Sequence, residues 1–457
     1  MLSLVLAPSD VSSATSRELP PVVGDDLRVP LVTGGNVAYA NLDLAASAPA
    51  LRSVAAHVAE LLPYYASVHR GAGYASQVST ALLEAARATV GEFVGARPED
   101  DVVVFTRNTT DSLNLLAGCV PGTVLCLDVE HHANLLPWQT GAHQVLRAAD
   151  TVEETLASLD AALASTSVAL LAVTGASNVT GEVLPLDRIV EIAHRWGARV
   201  VVDAAQLAPH RSIDIAATGI DYVALSGHKL YAPYGAGVIV GRRDWLDVGT
   251  PYLAGGGAVR EVEVDHTIWA SAPHRHEGGT PNVLGAAALA QACRTLAPVL
   301  DGAALAHERA LSDRLAAGLA TVPEARTLRI WSDSTERVAV QSFSLPAQHP
   351  SGRVAAYLSA EHGIGVRDGR FCAHPLLLRL CGENGEALRA SIGIGTTEEH
   401  VDRLVEALRQ LVTQGPDWTY GRVDGRWVPT PDPRDHDPLG VVGDLALGTG
   451  ASACSSD

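Results

Sequence analysis

Residues 199–229 read RVVVDAAQLAPHRSIDIAATGIDYVALSGHK. Two apolar, β-branched runs, Arg199–Asp203 and Tyr222–Leu225, each stop on polar residues, as buried strands do. Similar runs lie at Val102–Phe105, Thr123–Leu127 and Val168–Val173. Helically spaced apolar residues fill the gaps. Leu51, Val54, Ala55, Val58, Leu61 and Leu62 make one set, and Val78, Leu82, Ala86, Val90 and Phe93 make a second, with Gly95 as its stop. TRNTTDSLNLLAG turns from a strand into a helix, and Leu186, Ile189, Val190 and Ala193 mark another that ends at Gly197. Strands alternating with helices predict an α/β fold with a mostly parallel sheet covered on both faces. Only about ten residues separate Leu225 from the next strand, Gly237–Val240, too few for a parallel crossover, so one of these strands is expected to be antiparallel.

Working outward, residues 1–36 are rich in Ser, Pro and Gly and read as an N-terminal arm, and 37–295 form the large domain. Past 295 the texture changes to a smaller α+β domain, 296–412. It holds expected strands at Arg337–Leu345 and Leu388–Ile394, a helix at Gly352–Glu361, and a capping box, Thr396-x-x-Glu399, opening a last helix through Val401, Leu404, Val405, Leu408 and Leu411. Residues 413–457 carry Pro, Asp and Gly with few apolar pairs and are expected to be a disordered tail.

Composition narrows the function. The chain has 457 residues, 47% of them hydrophobic, enough for a full core without staples. A net charge of -18 excludes nucleic-acid and acidic-membrane partners, which need a basic surface. No apolar run approaches the roughly 18 residues of a membrane span, and the opening MLSLVLAPSD lacks the basic region of a signal peptide. The six cysteines form no CxxC pair, so neither a metal site nor a disulfide framework is expected. Cys119 and Cys126 sit in apolar runs as core thiols, and Cys454 has no motif. The reading is a soluble protein of a reducing, cytoplasmic compartment. Of the 33 basic residues only one is a lysine, Lys229. A composition that uses arginine wherever it serves leaves lysine where arginine cannot.

Ligands of open α/β sheets bind beyond the carboxyl ends of the strands. Asp203 and Gln206 follow one strand; Ser226, His228 and Lys229 follow the next. Val102–Phe105 leads to Thr109 and Thr110 at a helix start, Thr123–Leu127 to His131, and Val168–Val173 to Asn178. This is the set that pyridoxal phosphate requires. A primary amine must form the imine, and arginine, always protonated, cannot. A carboxylate at the pyridine nitrogen makes the ring an electron sink. Hydroxyls at a helix N-terminus hold the phosphate, and an imidazole can stack on the ring. Read singly, Asp203 is a strand-end cap, His131 a turn histidine and the threonines helix caps; read together they make one site.

YANLDLAASAP, YASVHRGAGYAS, EHHANLLPWQ, ALSGHKLYAPYGAGV, HEGGTPN, VRDGRFCAHPLL and RASIGIG occur in that order. Over about residues 36–412 the chain resembles the class V aminotransferase superfamily, most closely the group II cysteine desulfurases and selenocysteine lyases. The resemblance implies a pyridoxal-phosphate-dependent transferase fold of type I, in a homodimer with its active site at the subunit interface. Lys229 would form the imine, Asp203 would pair with the pyridine nitrogen, His131 would stack and Gln206 would bond the ring oxygen. Thr109, Thr110, Ser226 and His228 would hold the phosphate, with Thr280 reaching in from the partner subunit. Arg389 and Arg367 would bind a small amino-acid substrate, with Asn178 and His69 lining its pocket. Cys372 would be the nucleophile that takes sulfur or selenium as a persulfide, leaving alanine, and would pass it to an acceptor protein. Its thiolate calls for nearby positive charge. The family reads R-T-G-x-H-C, whereas this chain has Arg367, Asp368, Gly369, Arg370, Phe371 and Cys372. Phe371 removes an imidazole beside the thiol; Asp368 tends to raise a thiol pKa and Arg370 to lower it. The alternative on the same chassis is a C–S lyase, aminotransferase or epimerase in which Cys372 is not the nucleophile. A non-catalytic relative has no reason to keep Lys229, Asp203 and Arg389.

Overall fold

The computed structural model describes residues 18–69, 71–383 and 385–441. The six apolar runs become strands of one seven-stranded sheet, whose seventh strand, the exposed edge His143–Leu146, the sequence reading did not include. The strands are β1 (Asp101–Thr106), β2 (Val124–Leu127), β3 (His143–Leu146), β4 (Leu170–Thr174), β5 (Arg199–Asp203), β6 (Tyr222–Ser226) and β7 (Gly237–Arg242). Their spatial order is β1-β7-β6-β5-β4-β2-β3. β3, β2, β4, β5 and β6 pair in parallel, whereas β7 runs antiparallel to both β6 and β1. The short Leu225–Gly237 connection thus produces the expected antiparallel strand.

Successive side chains of a strand face opposite ways, and both faces are dry except at the exposed edge strand β3. Val200, Val202, Leu171 and Val173 join one core, while Val201, Leu170 and Ala172 join the other. Burying each such side chain contributes about 1.5–3 kcal/mol, which is why the strands read as unbroken apolar runs. The helices α1 (Arg52–Leu61), α2 (Tyr74–Phe93), α3 (Thr109–Ala117), α4 (Val152–Ser165), α5 (Leu186–Arg195) and α6 (Val283–Leu296) flank this sheet. Gly95 and Gly197, at φ +64° and +76°, supply the left-handed turns beyond α2 and α5.

A second, antiparallel sheet follows in the order β8 (Arg326–Thr327), β9 (Val340–Ser344), β11 (Ala387–Ser391), β10 (Arg367–Gly369). Helices α7 (Leu305–Leu319), α8 (Ser351–His362) and α10 (Glu398–Thr413) share a separate core with it, while α9 (His374–Cys381) packs into the large core through Leu376 and Leu377. Strand β9 begins three residues later than its sequence reading of Arg337–Leu345 and ends one earlier. The described part of the N-terminal arm, from residue 18, is tied down, with Arg28–Pro30 paired to Asn36–Ala38 and the Val32 N–H donating to the Ala360 carbonyl at 3.0 Å, and residues 1–17 lie outside the described residues.

Two expectations are corrected. The capping box of α10 is built on Thr397, whose hydroxyl accepts from the His400 N–H while His400 Nδ1 accepts from the Thr397 N–H. Thr396 instead turns its hydroxyl back to the Gly393 N–H at 3.2 Å. An imidazole can close the box because its unprotonated nitrogen accepts as a glutamate oxygen does. The tail, expected to be disordered from 413, carries a hairpin of β12 (Tyr420–Val423) and β13 (Arg426–Pro429) packed on α8. Its turn, Asp424–Gly425, has φ +49° and +78°, the Asp-Gly pairing that two-residue hairpins favour. Glu361 of α8 anchors it, accepting from the Asp417 and Trp418 N–H groups and from the Tyr420 hydroxyl at 2.7 Å. Residues 442–457, with Cys454, lie outside the described residues.

Candidate active site

The carboxyl ends of β1, β2, β4, β5 and β6 open into a cavity of about 270 Å³. Lys229, Asp203, Gln206, His131, Asn178, Thr109, Thr110, Ser226, His228, Arg367, Arg389 and Cys372 all line it. Twelve residues named from sequence therefore meet in one place.

At one end, Asn108 caps α3 by accepting from the Asp111 N–H at 3.0 Å. The buried Thr109 N–H donates to the Ser226 hydroxyl at 2.8 Å, and the two hydroxyls lie 2.9 Å apart. This loop lies directly against β7. A Cβ on Gly237 would lie 2.5 Å from Asn108 Cα, so only glycine allows the approach.

At the middle, Lys229 is half-buried, and the protein packed around it disfavours its charge. Burial pushes its amine down to about 8, against the pull of Asp203. Asp203 is buried and accepts from the Ala205 N–H at 2.9 Å; burial raises its pKa, Lys229 lowers it. His131 accepts from the Ala133 N–H through Nδ1 at 3.0 Å. Burial, with Lys229 adding, pushes this imidazole down to about 3, so it stays neutral with its proton on Nε2. Gln206 is fixed by donating to the Ala45 carbonyl at 2.7 Å.

At the far end, Arg389 is buried. It donates to the Asn178 carbonyl at 3.0 Å and to Asp43 at 3.1 Å, and its Nε is buried without a partner among the described residues. A buried guanidinium in the wall of a cavity suits a carboxylate. Its Cζ stands 5.2 Å from the centroid of the Phe371 ring. The aromatic ring that replaces the family histidine thus belongs to the arginine's surroundings. Phe371 and Cys372 both have positive φ, +48° and +52°. Such conformations cost about 1–3 kcal/mol each and need local support. Asn178 Nδ2–H donates to the Phe371 carbonyl and the His132 N–H to the Cys372 carbonyl, both at 2.8 Å.

Two predicted residues lie elsewhere. His69 and Thr280, both exposed, line a separate cleft of about 540 Å³. His69 is held there by Glu84 of α2 at 3.1 Å and by its edge-on contact with His274, ring centroids 5.0 Å apart. In its own chain His69 therefore lines no part of the Lys229 cavity.

Glu130, which the sequence did not single out, is fully buried behind His131. It accepts from Asn134 Nδ2 at 2.7 Å and from the Thr174 N–H at 3.1 Å, tying the His131 loop to β4. Burial, with Asp203 adding, pushes its carboxyl up to about 8. A neutral carboxyl has a proton to donate, and Asn134 Oδ1 is buried without a partner among the described residues. Turning that amide over gives the proton its acceptor. The folded protein resists an ionisation that the unfolded chain permits. Wild type therefore loses stability relative to Glu130→Gln as pH rises from 4.5 to about 8. Thermal unfolding is expected to show Glu130→Gln level with wild type at pH 5 and above it at pH 8. Glu130→Ala should lose about 1–3 kcal/mol at both. A glutamine variant as unstable as the alanine one would disprove a neutral Glu130.

The family model described as "Aminotransferase class-V" matches residues 40–404. The chain belongs to the class V aminotransferase family. It is 37% identical over 400 residues to a cysteine desulfurase of Dickeya dadantii (strain 3937), covering 83% of this chain and 93% of that protein. It is 38% identical over 354 residues to the cysteine desulfurase CsdA of Escherichia coli (strain K12), covering 75% and 86%. The apo structure of a cysteine desulfurase from Thermococcus onnurineus NA1 matches with a TM-score of 0.75 at 31% identity, covering 82% of this chain and 94% of that one. The hairpin at 420–429 lies beyond the class V match.

Proposed function

We propose that this class V enzyme is a pyridoxal-phosphate-dependent cysteine desulfurase or selenocysteine lyase. The observation that carries the reading is the Cys372 thiol in the same cavity as Lys229, Asp203 and Arg389. The donor set fits the cofactor. Thr109, Thr110, Ser226 and His228 would hold its phosphate, Lys229 its aldehyde carbon, Asp203 its ring nitrogen, Gln206 its ring oxygen and His131 its face. When bound, the cofactor supplies an electron sink conjugated to the substrate α-carbon.

The chain's own residues do the rest. Arg389 binds the carboxylate of an L-cysteine-like substrate, with Arg367 at the rim and Asn178 beside it. The amine of Lys229, with its depressed pKa, moves the proton at the α-carbon. The Cys372 thiolate attacks the substrate sulfur: an S–S bond forms as the Cβ–S bond breaks. Protons then complete alanine, and the persulfide remains on Cys372 for an acceptor protein. His69 and Thr280 support a homodimer, since both are exposed, share one cleft and would complete the pocket of a second copy. The cytoplasm is the compartment in which free thiols of this kind persist.

One observation favours a second reading. Phe371 leaves the thiol without the imidazole of the family motif, as a C–S lyase, aminotransferase or epimerase would tolerate. Product analysis separates the two. With L-cysteine or L-selenocysteine the desulfurase reading requires alanine in step with persulfide. Pyruvate and ammonia in place of alanine would establish the lyase.

A further inference from the structure

The loop that carries Cys372 is a partition between two cavities. Arg367 and Phe371 line the Lys229 cavity on one side and a cleft of about 520 Å³ on the other. The far wall of that cleft is the hairpin β12–β13, which lies beyond the family match. The hairpin meets the loop closely. A Cβ on Gly352 of α8 would lie 3.2 Å from Trp427 Cδ1 and 3.3 Å from Asp368 Oδ2, so helix, hairpin and Cys372 loop converge there.

The charge of the cleft opposes that of the chain. Arg367, Arg370, Arg422 and Arg426 line it against Asp368 and Glu386, an excess of two positive charges on a protein of net charge -18. Arg353 and Arg422 also stand 5.9 Å and 5.2 Å from the Trp427 ring centroid, and Trp427 Nε1 is buried without a partner among the described residues. Arg422 and Arg426 are exposed, on the two strands of the hairpin. One exposed ion pair contributes little, so a single small anion gains little here. A ligand gains by meeting several of these arginines at once, which requires an extended acidic surface.

Resting on the desulfurase reading, we propose that the cleft between the C-terminal hairpin and the Cys372 loop docks an acidic segment of the protein that accepts sulfur from Cys372. The step it serves is transfer of the outer persulfide sulfur to an acceptor thiolate. A new S–S bond forms as the old one breaks, and Cys372 leaves as thiolate.

The test uses two synthetic dodecapeptides, each with one central cysteine, one flanked by glutamates and the other by lysines. Flanking carboxylates lower the thiolate fraction, so a preference for the glutamate peptide opposes intrinsic reactivity. With wild-type holoenzyme and L-cysteine at low ionic strength, the glutamate peptide is expected to accept sulfur about tenfold faster, an advantage that salt removes. Arg422→Glu/Arg426→Glu should reverse the preference and Arg422→Gln/Arg426→Gln should abolish it, with dithiothreitol-supported alanine formation unchanged in both. Equal rates with the two peptides, or a preference that survives in both variants, overturn the docking surface alone. A change of oligomeric state in the variants, read by sedimentation, overturns it in favour of a second copy covering the cleft. If wild type makes no alanine with dithiothreitol, the desulfurase reading falls and the docking surface with it.

Discussion

Lys229→Ala is expected to abolish turnover and the visible absorbance of bound pyridoxal phosphate together. The chain holds no other lysine to substitute, and loss of the proton-transfer group alone removes about 10²–10⁴-fold in rate. Because the amine reacts only when neutral, uptake of the cofactor by wild-type apo-protein should quicken with pH and level off above about 8. Stability should move the other way from a lost salt bridge. The folded-state pKa lies below the unfolded value of 10.5, so at pH 7 the folded protein bears the cost of desolvating a charged amine. That cost fades between about 8 and 10.5. The alanine apo-variant is therefore expected to have a thermal midpoint at pH 7 no lower than that of wild-type apo-protein while losing all activity. A variant that retains the visible absorbance would remove Lys229 from the site.

Cys372→Ala is expected to split the reaction. Cofactor absorbance and its change on adding L-cysteine should persist, since Lys229, Asp203 and Arg389 are untouched. Alanine formation should fall by about 10³-fold or more, the scale of losing a nucleophile from a site that otherwise binds normally. The backbone reason for expecting so clean a split is the support of the loop. Its carbonyls are held by Asn178 and His132, and the Phe371 ring by the large core, none of which uses the thiol. Undiminished alanine from the variant would exclude Cys372 as the sulfur acceptor.

What sequence could reveal followed from how each feature is encoded. Six strands of the central sheet are dry on both faces, so their runs are unambiguous, and residues at their ends were legible as a site before any geometry; the exposed edge strand β3, HQVL, left no such run and was missed. Glu130 was not, because a glutamate beside two histidines reads as a polar turn until its complete burial, which pushes the carboxyl pKa up, is seen. Thr397 and His400 escaped notice because the capping pattern is written with carboxylates or amides. The hairpin at 420–429 was hidden by composition, although Asp424–Gly425 carries a local turn signal. His69 was recognised by its motif, but a motif does not say which cavity of its own chain a loop will line.

The same lysine has a consequence outside catalysis. Across its whole length this protein offers one ε-amine, and that amine opens into the cavity. An aldehyde in excess ordinarily decorates the surface of a protein at many sites; here it has a single side-chain target. Amine-selective acylating reagents thus become occupancy probes, and acylation located at Lys229, as distinct from the α-amine and the thiols, counts the fraction of molecules whose cavity stands empty.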